Sequence, residues 1–416
     1  MKEQSIIDLA KQVPMTGQNP LDELLRAGAQ QMLQQAIENE VTEYLTRYRD
    51  ERDSDGHRLV VGNGRLPKRQ ILTSAGSVQI HQPRVEDRRP DQKFSSQLLP
   101  PYLRRTPSLD ALVPALYLRG ISTGDFTEAL TSILGPNAAG LSATNIVRLK
   151  EGWHKDYEQW QQRDLSDKRY VYVWADGIYF NVRLSDDRPC VLVLMGALAD
   201  GTKELLAVTQ GQRESKLSWI ELMRDLKKRG FKEAPELAVG DGSLGFWAAK
   251  QEEWPKTREQ RCWVHKTANV LDKLPKSVQG TAKGQIHEMY LSPTRAKAQR
   301  AYEQFLKDYS VKYPKACDCL KKDKDVLFTF YDFPALHWVH LRTTNPIEST
   351  FAGVRHRTRQ TKGCGSVAAT MAMVFQLARV AEKHWRRLNG TDLLAQVITG
   401  VKFVDGEVVS EKTRAA

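Results

Sequence analysis

Between residues 170 and 210 the chain offers three apolar, β-rich runs in close succession. They are YVYVWADGIYFNVRL (170–184), CVLVLMGALAD (190–200) and KELLAVTQ (203–210). Val, Tyr, Leu and Trp at this density suit a pleated sheet, and the joints are short, one of them Asp200-Gly201. The pattern then changes period. Ser215–Arg229 carries an apolar side at helical spacing, Glu236–Gly240 is a short strand, and a helix starts at Ser243. QRCWV (260–264) is a candidate fifth strand. Residues 266–330 are helical and Lys-rich, a helix begins near Asn345, and another covers Val367–Leu388. The order β-β-β-α-β-α-β, helical insert, α predicts an α/β fold with a mixed sheet flanked by helices.

Before this core, residues 20–47 repeat Leu, Met, Ile and Val at helical spacing, and 48–68 is charged and turn-rich, hence a loop. Residues 69–85 alternate around a glycine turn as short strands. From Arg65 to Arg105 there are nine Lys/Arg against three Asp/Glu, a basic arm that includes Arg104 and Arg105 and suits phosphates. A solvated surface accounts for the arm equally well. Residues 107–151 read as helix, Gly/Pro turn, helix, with Ser142 as cap; this suits a helix-turn-helix or any helical hairpin. The expected divisions are 1–64, 65–165 (DNA-binding), 166–265, 266–335 (insertion), 336–400 and a frayed tail over 401–416.

Sixty-two Lys/Arg against fifty Asp/Glu leave a net charge of +12, which favours a polyanion such as nucleic acid; a basic enzyme without a polymer partner is the alternative. Hydrophobic residues at 41 % exclude wholesale disorder. Five cysteines (Cys190, Cys262, Cys317, Cys319, Cys364) are too few and odd in number for a disulfide framework. No run approaches the roughly 20 apolar residues of a membrane span, and MKEQSIIDLAKQ is no secretory signal. The expectation is a cytoplasmic protein without a membrane partner.

Three carboxylates occupy unusual places. Asp176 stands inside the first apolar run, where an unpaired charge is costly. A hairpin turn at Asp176-Gly177 and a metal ligand both account for it. Asp241 directly follows a strand and precedes a helix, where ligands collect, although a plain turn also fits. Glu348 follows Asn345-Pro346, which reads as N-cap and N1 with Glu348 closing a capping box. Along that helix Ile347, Phe351 and Val354 form a buried stripe, and Glu348, Ala352, Arg355 and Arg359 the stripe beside it. From Arg342 to Lys362 five Lys/Arg stand against one acid. Arg342, Arg355, Arg359 and Lys362 are candidate phosphate contacts. Such a set suits phosphodiester chemistry, in which two divalent ions activate one oxygen and stabilise another.

VWADGIYF, AVGDGSLGFW, QRCWVHKTANVLDKLPK and HLRTTNPIESTF together resemble the bacterial Mutator-type insertion-sequence transposases, a branch of the DDE transposases with an RNase H-like core. The resemblance runs from about residue 60 to 390. It implies Asp176, Asp241 and Glu348 as the catalytic acids, binding two Mg²⁺ (or Mn²⁺), and it removes the hairpin reading of Asp176. The 107 residues from Asp241 to Glu348 are long for such a core, and the resemblance implies a helical insertion there. Pro346 stands where the family often has another small or apolar residue. The family's Cys-x-x-His pair falls on Cys262 and His265. Zinc shared with Cys317 and Cys319, a His265 role near the scissile phosphate, and simple packing all remain open. His337 and His340 read as packing or surface residues. The resemblance further implies double-stranded DNA as partner (terminal inverted repeats and target) and a dimer or larger assembly on DNA. Water would free a 3′-OH that then attacks another strand. An RNase H-like nuclease or resolvase, or a non-catalytic DNA-binding descendant, are the other classes.

Overall fold

A computed structural model describes residues 20–109, 116, 128, 143–180, 190–211, 213–360 and 366–409, with backbone alone at 143–150, 353 and 355–360. The chain divides into two compact units, Met1–Leu149 and Lys150–Ala416.

In the first unit, helix α1 (Pro20–Arg47) buries Ile37 and Val41. Strands β1 (Val60–Arg65) and β4 (Pro83–Asp87) pair antiparallel, as do β2 (Arg69–Thr73) and β3 (Gly76–Ile80). Ile37, Ile71, Val78, Ile80 and Leu99 form the small core. The expected loop at 48–68 is thus corrected at its end: VVGNGR is a strand whose turn-like residues face outward on an edge. Much of the basic arm is engaged internally. Arg65 pairs with Glu38, Arg88 with Glu86, and Arg89 with Asp87 while stacking on Tyr48. Lys68, Arg84, Lys93 and Arg104 are exposed. The helix-turn-helix reading lies mostly outside the described residues, as does Ser142; its last helix is α2 (Ala143–Gln161).

The second unit is built on five strands: β5 (Tyr170–Tyr179), β6 (Cys190–Leu198), β7 (Lys203–Gly211), β8 (Leu237–Gly240) and β9 (Arg258–Arg261). Their order across the sheet is β7-β6-β5-β8-β9. β5, β6 and β7 run antiparallel, and β8 and β9 are parallel to β5. Central β5 is buried from Tyr170 to Ala175 on both faces, which explains its unbroken apolar sequence. Val173, Ala175, Leu192 and Leu194 pack beneath helices α3 (Lys216–Lys228) and α4 (Leu244–Glu253) through Trp219, Met223 and Phe246. Trp174, Ile178, Val191 and Val193 face the opposite layer.

That layer holds α5 (Trp263–Leu271), α6 (Lys276–Leu291), α7 (Arg295–Tyr309) and α8 (Pro314–Lys321), then the one-turn helices α9 (Lys324–Leu327) and α10 (Trp338–Leu341). The long α11 (Asn345–Gln360) and α12 (Val367–Glu382) complete it. QRCWV is divided: the strand ends at Arg261 and Trp263 starts a helix. The tail is not frayed through 409. After α13 (Leu394–Ile398), β10 (Phe403–Val404) and β11 (Glu407–Val408) form a hairpin around Asp405-Gly406, both at positive φ, and Phe403 is buried.

Candidate active site

β5 and β8 run side by side, with Ala175 opposite Gly240. The next residues are Asp176 and Asp241, so two carboxylates more than sixty positions apart in sequence each directly follow the last paired position of β5 and β8. β8 ends at Gly240, which opens the edge of β5 at the level of Asp176. Asp176 lies within a strand and not at a hairpin, paired with Val193 across β6.

The third acid arrives from the other side of the insertion. Tyr172 hydroxyl meets His337 Nδ1 at 2.8 Å, and His337 Nε2 lies 3.0 Å from the Gly390 carbonyl. Trp174 Nε1 donates to the His340 carbonyl at 2.9 Å. Both histidines are therefore packing residues that fasten the chain onto β5 just before α11. The buried stripe Ile347, Phe351, Val354 then seats α11 on the sheet. Glu348 is left on the flank.

The capping box is corrected. The helix cap is Thr344, whose carbonyl accepts from Ile347 and Glu348 N–H at 2.9 and 3.1 Å. The Asn345 N–H goes to Thr343 Oγ1 instead of Glu348. This frees the Glu348 carboxylate, which accepts from Thr344 Oγ1 at 2.8 Å. Thr344, fully buried, is also 3.2 Å from Cys262 Sγ and 3.3 Å from His265 Nδ1, and its N–H donates to Cys262 Sγ at 3.3 Å. Cys262 is placed by its own N–H, which donates to the Gly240 carbonyl at 2.8 Å. One hydroxyl thus joins the Cys-x-x-His pair to Glu348, directly beside Asp241.

The charges are matched to this geometry. Asp176 is 7 % exposed. Burial pushes its carboxyl up to about 7; the His265 cation opposes that, and Asp241, Glu214 and Glu348 add to it. The hydrogen bond to Cys262 pushes His265 up to about 9, against burial and with help from the charges of Cys262, Glu348 and Asp176. Burial opposes ionisation of the Cys262 thiol, but His265 and Thr344 outweigh it and hold the thiol below its usual range. His265 is accordingly an imidazolium at neutral pH, 3.6 Å from Glu348.

Asp241 Oδ1 accepts from the Ser243 N–H at 2.8 Å, and Trp247 Nε1 holds the Asp241 carbonyl at 2.8 Å. Among the described residues, no hydrogen bond reaches the second carboxylate oxygen of Asp241. Oxygen-rich and partly buried, the set Asp176, Asp241, Glu348 suits a hard divalent cation. Cys262, His265 and Glu348 also place three ligand atoms within 4.8 Å of one another. Thr344 Oγ1 lies within hydrogen-bond distance of all three, so a metal there would displace the threonine. Cys317 is buried in the insertion core, and Cys319 offers its carbonyl to Lys266, which does not support a shared zinc.

Two groups escaped the sequence reading. Glu214, after β7, has its carboxyl against Gly177; the glycine pattern around it was the available signal. Arg261, 4 % exposed, lays its guanidinium over Gly242 and pairs with Asp323. Among the expected phosphate contacts, Arg342 stacks on Phe330 and Trp338 and is held below its usual range by burial, so it is a packing cation first. The backbone of Arg355 and Arg359 continues α11, Lys362 and Cys364 lie outside the described residues, and Arg104 and Arg105 belong to the first unit.

The profile of the family described as "Transposase, Mutator family" matches residues 1–388. The chain belongs to the Mutator family of transposases. This transposase is 50 % identical over 305 residues to the transposase for insertion sequence element IS6120 of Mycolicibacterium smegmatis, covering 73 % of the chain and 94 % of the relative. It is 47 % identical over 286 residues to the transposase for IST2 of Acidithiobacillus ferrooxidans, covering 67 % and 94 %. Among solved structures, the Drosophila P element transposase strand transfer complex aligns with a TM-score of 0.28 at 10 % identity, over 73 % of this chain and 84 % of that one. No described helix of the transposase is long and apolar enough to cross a membrane.

Proposed function

We propose that the transposase cuts DNA at the ends of an insertion sequence and joins the freed 3′ ends to a target, using Asp176, Asp241 and Glu348 as a DDE-type metal centre. What supports this reading is the register of β5 against β8, after which Asp176 and Asp241 follow on adjacent segments, with the charges of Asp241 and of Glu348 on α11 both acting on Asp176. The strand order β7-β6-β5-β8-β9, three antiparallel and two parallel, with a helical insertion before α11, supports an RNase H-like core.

When bound, a pair of Mg²⁺ or Mn²⁺ ions held by Asp176, Asp241 and Glu348 would activate the attacking oxygen and stabilise the leaving one. The chain's own part is positioning and charge. Asp176 supplies a carboxylate kept dry by β5 and its neighbours. Asp241 offers one oxygen while Ser243 fixes the other. Thr344 and the His265 imidazolium orient Glu348 and balance its charge. The exposed cations of the first unit, with Arg355, Arg359 and Lys362, serve double-stranded DNA, terminal inverted repeats and target alike. Two ends handled together call for a dimer or larger assembly on DNA.

The test replaces Asp176 or Asp241 by Asn, or Glu348 by Gln, and follows cleavage of an end-bearing duplex with Mg²⁺. Losses on the order of 10²–10³-fold or more are expected in each folded variant, the scale of removing one electrostatic stabiliser. Full cleavage by any of them removes that residue from the centre. A pre-cut 3′-OH end that the wild-type protein fails to join would point to a nuclease instead.

A further inference from the structure

Glu214 sits in the short connection between β7 and the Ser215 cap of α3, a stretch without periodic pattern. Its side chain is nevertheless placed by two glycines. A Cβ on Gly177 would lie 2.3 Å from both Cδ and Oε1 of Glu214, so the carboxyl rests directly on the β5 backbone next to Asp176. A Cβ on Gly245 would lie 2.0 Å from the Glu214 carbonyl oxygen, so the main chain of Glu214 is pressed against the first turn of α4. Neither glycine has positive φ; what each provides is room.

Gly177 and Asp176 point to opposite faces of β5. Beyond Ala175, however, β5 has no β8 neighbour, because β8 has ended. A carboxyl on the Gly177 face and one at Asp176 therefore flank the same opening above Asp241. Asp176, at this opening, is 7 % exposed, and Ser243 connects the other two acids: its side chain donates to the Glu214 carboxyl and its N–H to Asp241 Oδ1 at 2.8 Å. Ionising a carboxyl buried there is costly unless a cation meets it. We propose that Glu214 is a fourth carboxylate of the metal centre, closing it from the α3–α4 side opposite Glu348. This rests on the three-acid centre proposed above. Four hard oxygen donors around two divalent ions leave coordination positions for water and phosphate oxygens.

The experiment is Mn²⁺ binding to the full-length protein without DNA, read by the loss of the free-ion EPR signal. Wild type is compared with Asp176→Asn, Glu214→Gln and Gly177→Ala. The last adds a methyl where the Glu214 carboxyl lies; the flexible end of that side chain can swing away, so its charge is kept but its place is lost. Tryptophan fluorescence checks that each variant is folded. Asp176→Asn should abolish tight binding, and both Glu214→Gln and Gly177→Ala should weaken it by roughly 10–100-fold. Wild-type affinity in either of the latter, with binding lost in Asp176→Asn, overturns the role of Glu214 and leaves the three-acid centre standing. Wild-type affinity in Asp176→Asn overturns both.

Discussion

Asp176→Asn should stabilise the metal-free protein at high pH while destroying its chemistry. In the folded state the carboxyl is held at about 7 against an ordinary 3.8, chiefly by burial. A raised carboxyl pKa means that the folded state favours the neutral form. Its relative stability is greatest below the unfolded pKa and is lost as pH rises to the folded one. At about 1.36 kcal/mol per pH unit the whole loss is roughly 4 kcal/mol, of which roughly 3 falls between pH 5 and pH 8. Asn cannot ionise, so it avoids this loss, and any cost of the unpaired amide is the same at every pH. His265, raised from 6.5 to about 9, also loses stability as pH rises from about 6.5, but it is present in both proteins and cancels to first order in their difference. All nine tryptophans lie between residues 153 and 385, so urea unfolding followed by tryptophan fluorescence in EDTA reports on the second unit. The stability of the variant relative to wild type should rise by roughly 3 kcal/mol from pH 5 to pH 8. A pH-independent difference, or one that grows in favour of wild type, would refute the reasoning. Mg²⁺ should then stabilise wild type and leave the variant unmoved.

Thr344→Val removes the hydroxyl that joins Cys262, His265 and Glu348. Stability should drop by about 1–3 kcal/mol, and cleavage should fall with Mg²⁺ affinity on the order of 10–100-fold; equal activity would deny Thr344 a positioning role. Mn²⁺ affinity should fall about tenfold per pH unit below about pH 7, because one proton must leave Asp176, and a flat calorimetric titration from pH 5 to 7 would count against this. Replacing exposed Lys68, Arg84, Lys93 and Arg104 by Ala should flatten the salt dependence of DNA affinity by a log–log slope of roughly 3–4, and an unchanged slope would remove these residues from the DNA surface.

Five Asp-Gly pairs show what the sequence could disclose and what it withheld. At Gly56, Gly201 and Gly406 the glycine takes positive φ and the chain turns, as local chemistry suggests. At Gly177 and Gly242 it does not, and a side chain, Glu214 or Arg261, occupies the space of the missing Cβ. The dipeptide is the same; the difference lies in partners far away in sequence. For that reason Asp176 read locally as either turn or ligand, and only the likeness of several blocks removed the turn. The three apolar runs, the helix with stripe Ile347, Phe351, Val354 and the length of α1 were legible because periodicity is local. The true cap at Thr344 was not, since Asn-Pro beside it carries the stronger local signal while the deciding bonds come from Cys262 and Thr343. The hairpin at 403–408 was missed although Asp405-Gly406 announced it.

The most direct measurement is anomalous scattering from Mn²⁺ in crystals of the protein with a cut element end. Two peaks about 3.5–4 Å apart, each touching carboxylate oxygens among Asp176, Asp241 and Glu348, are expected. Manganese bound elsewhere, with these three side chains left without metal, would contradict the proposed centre.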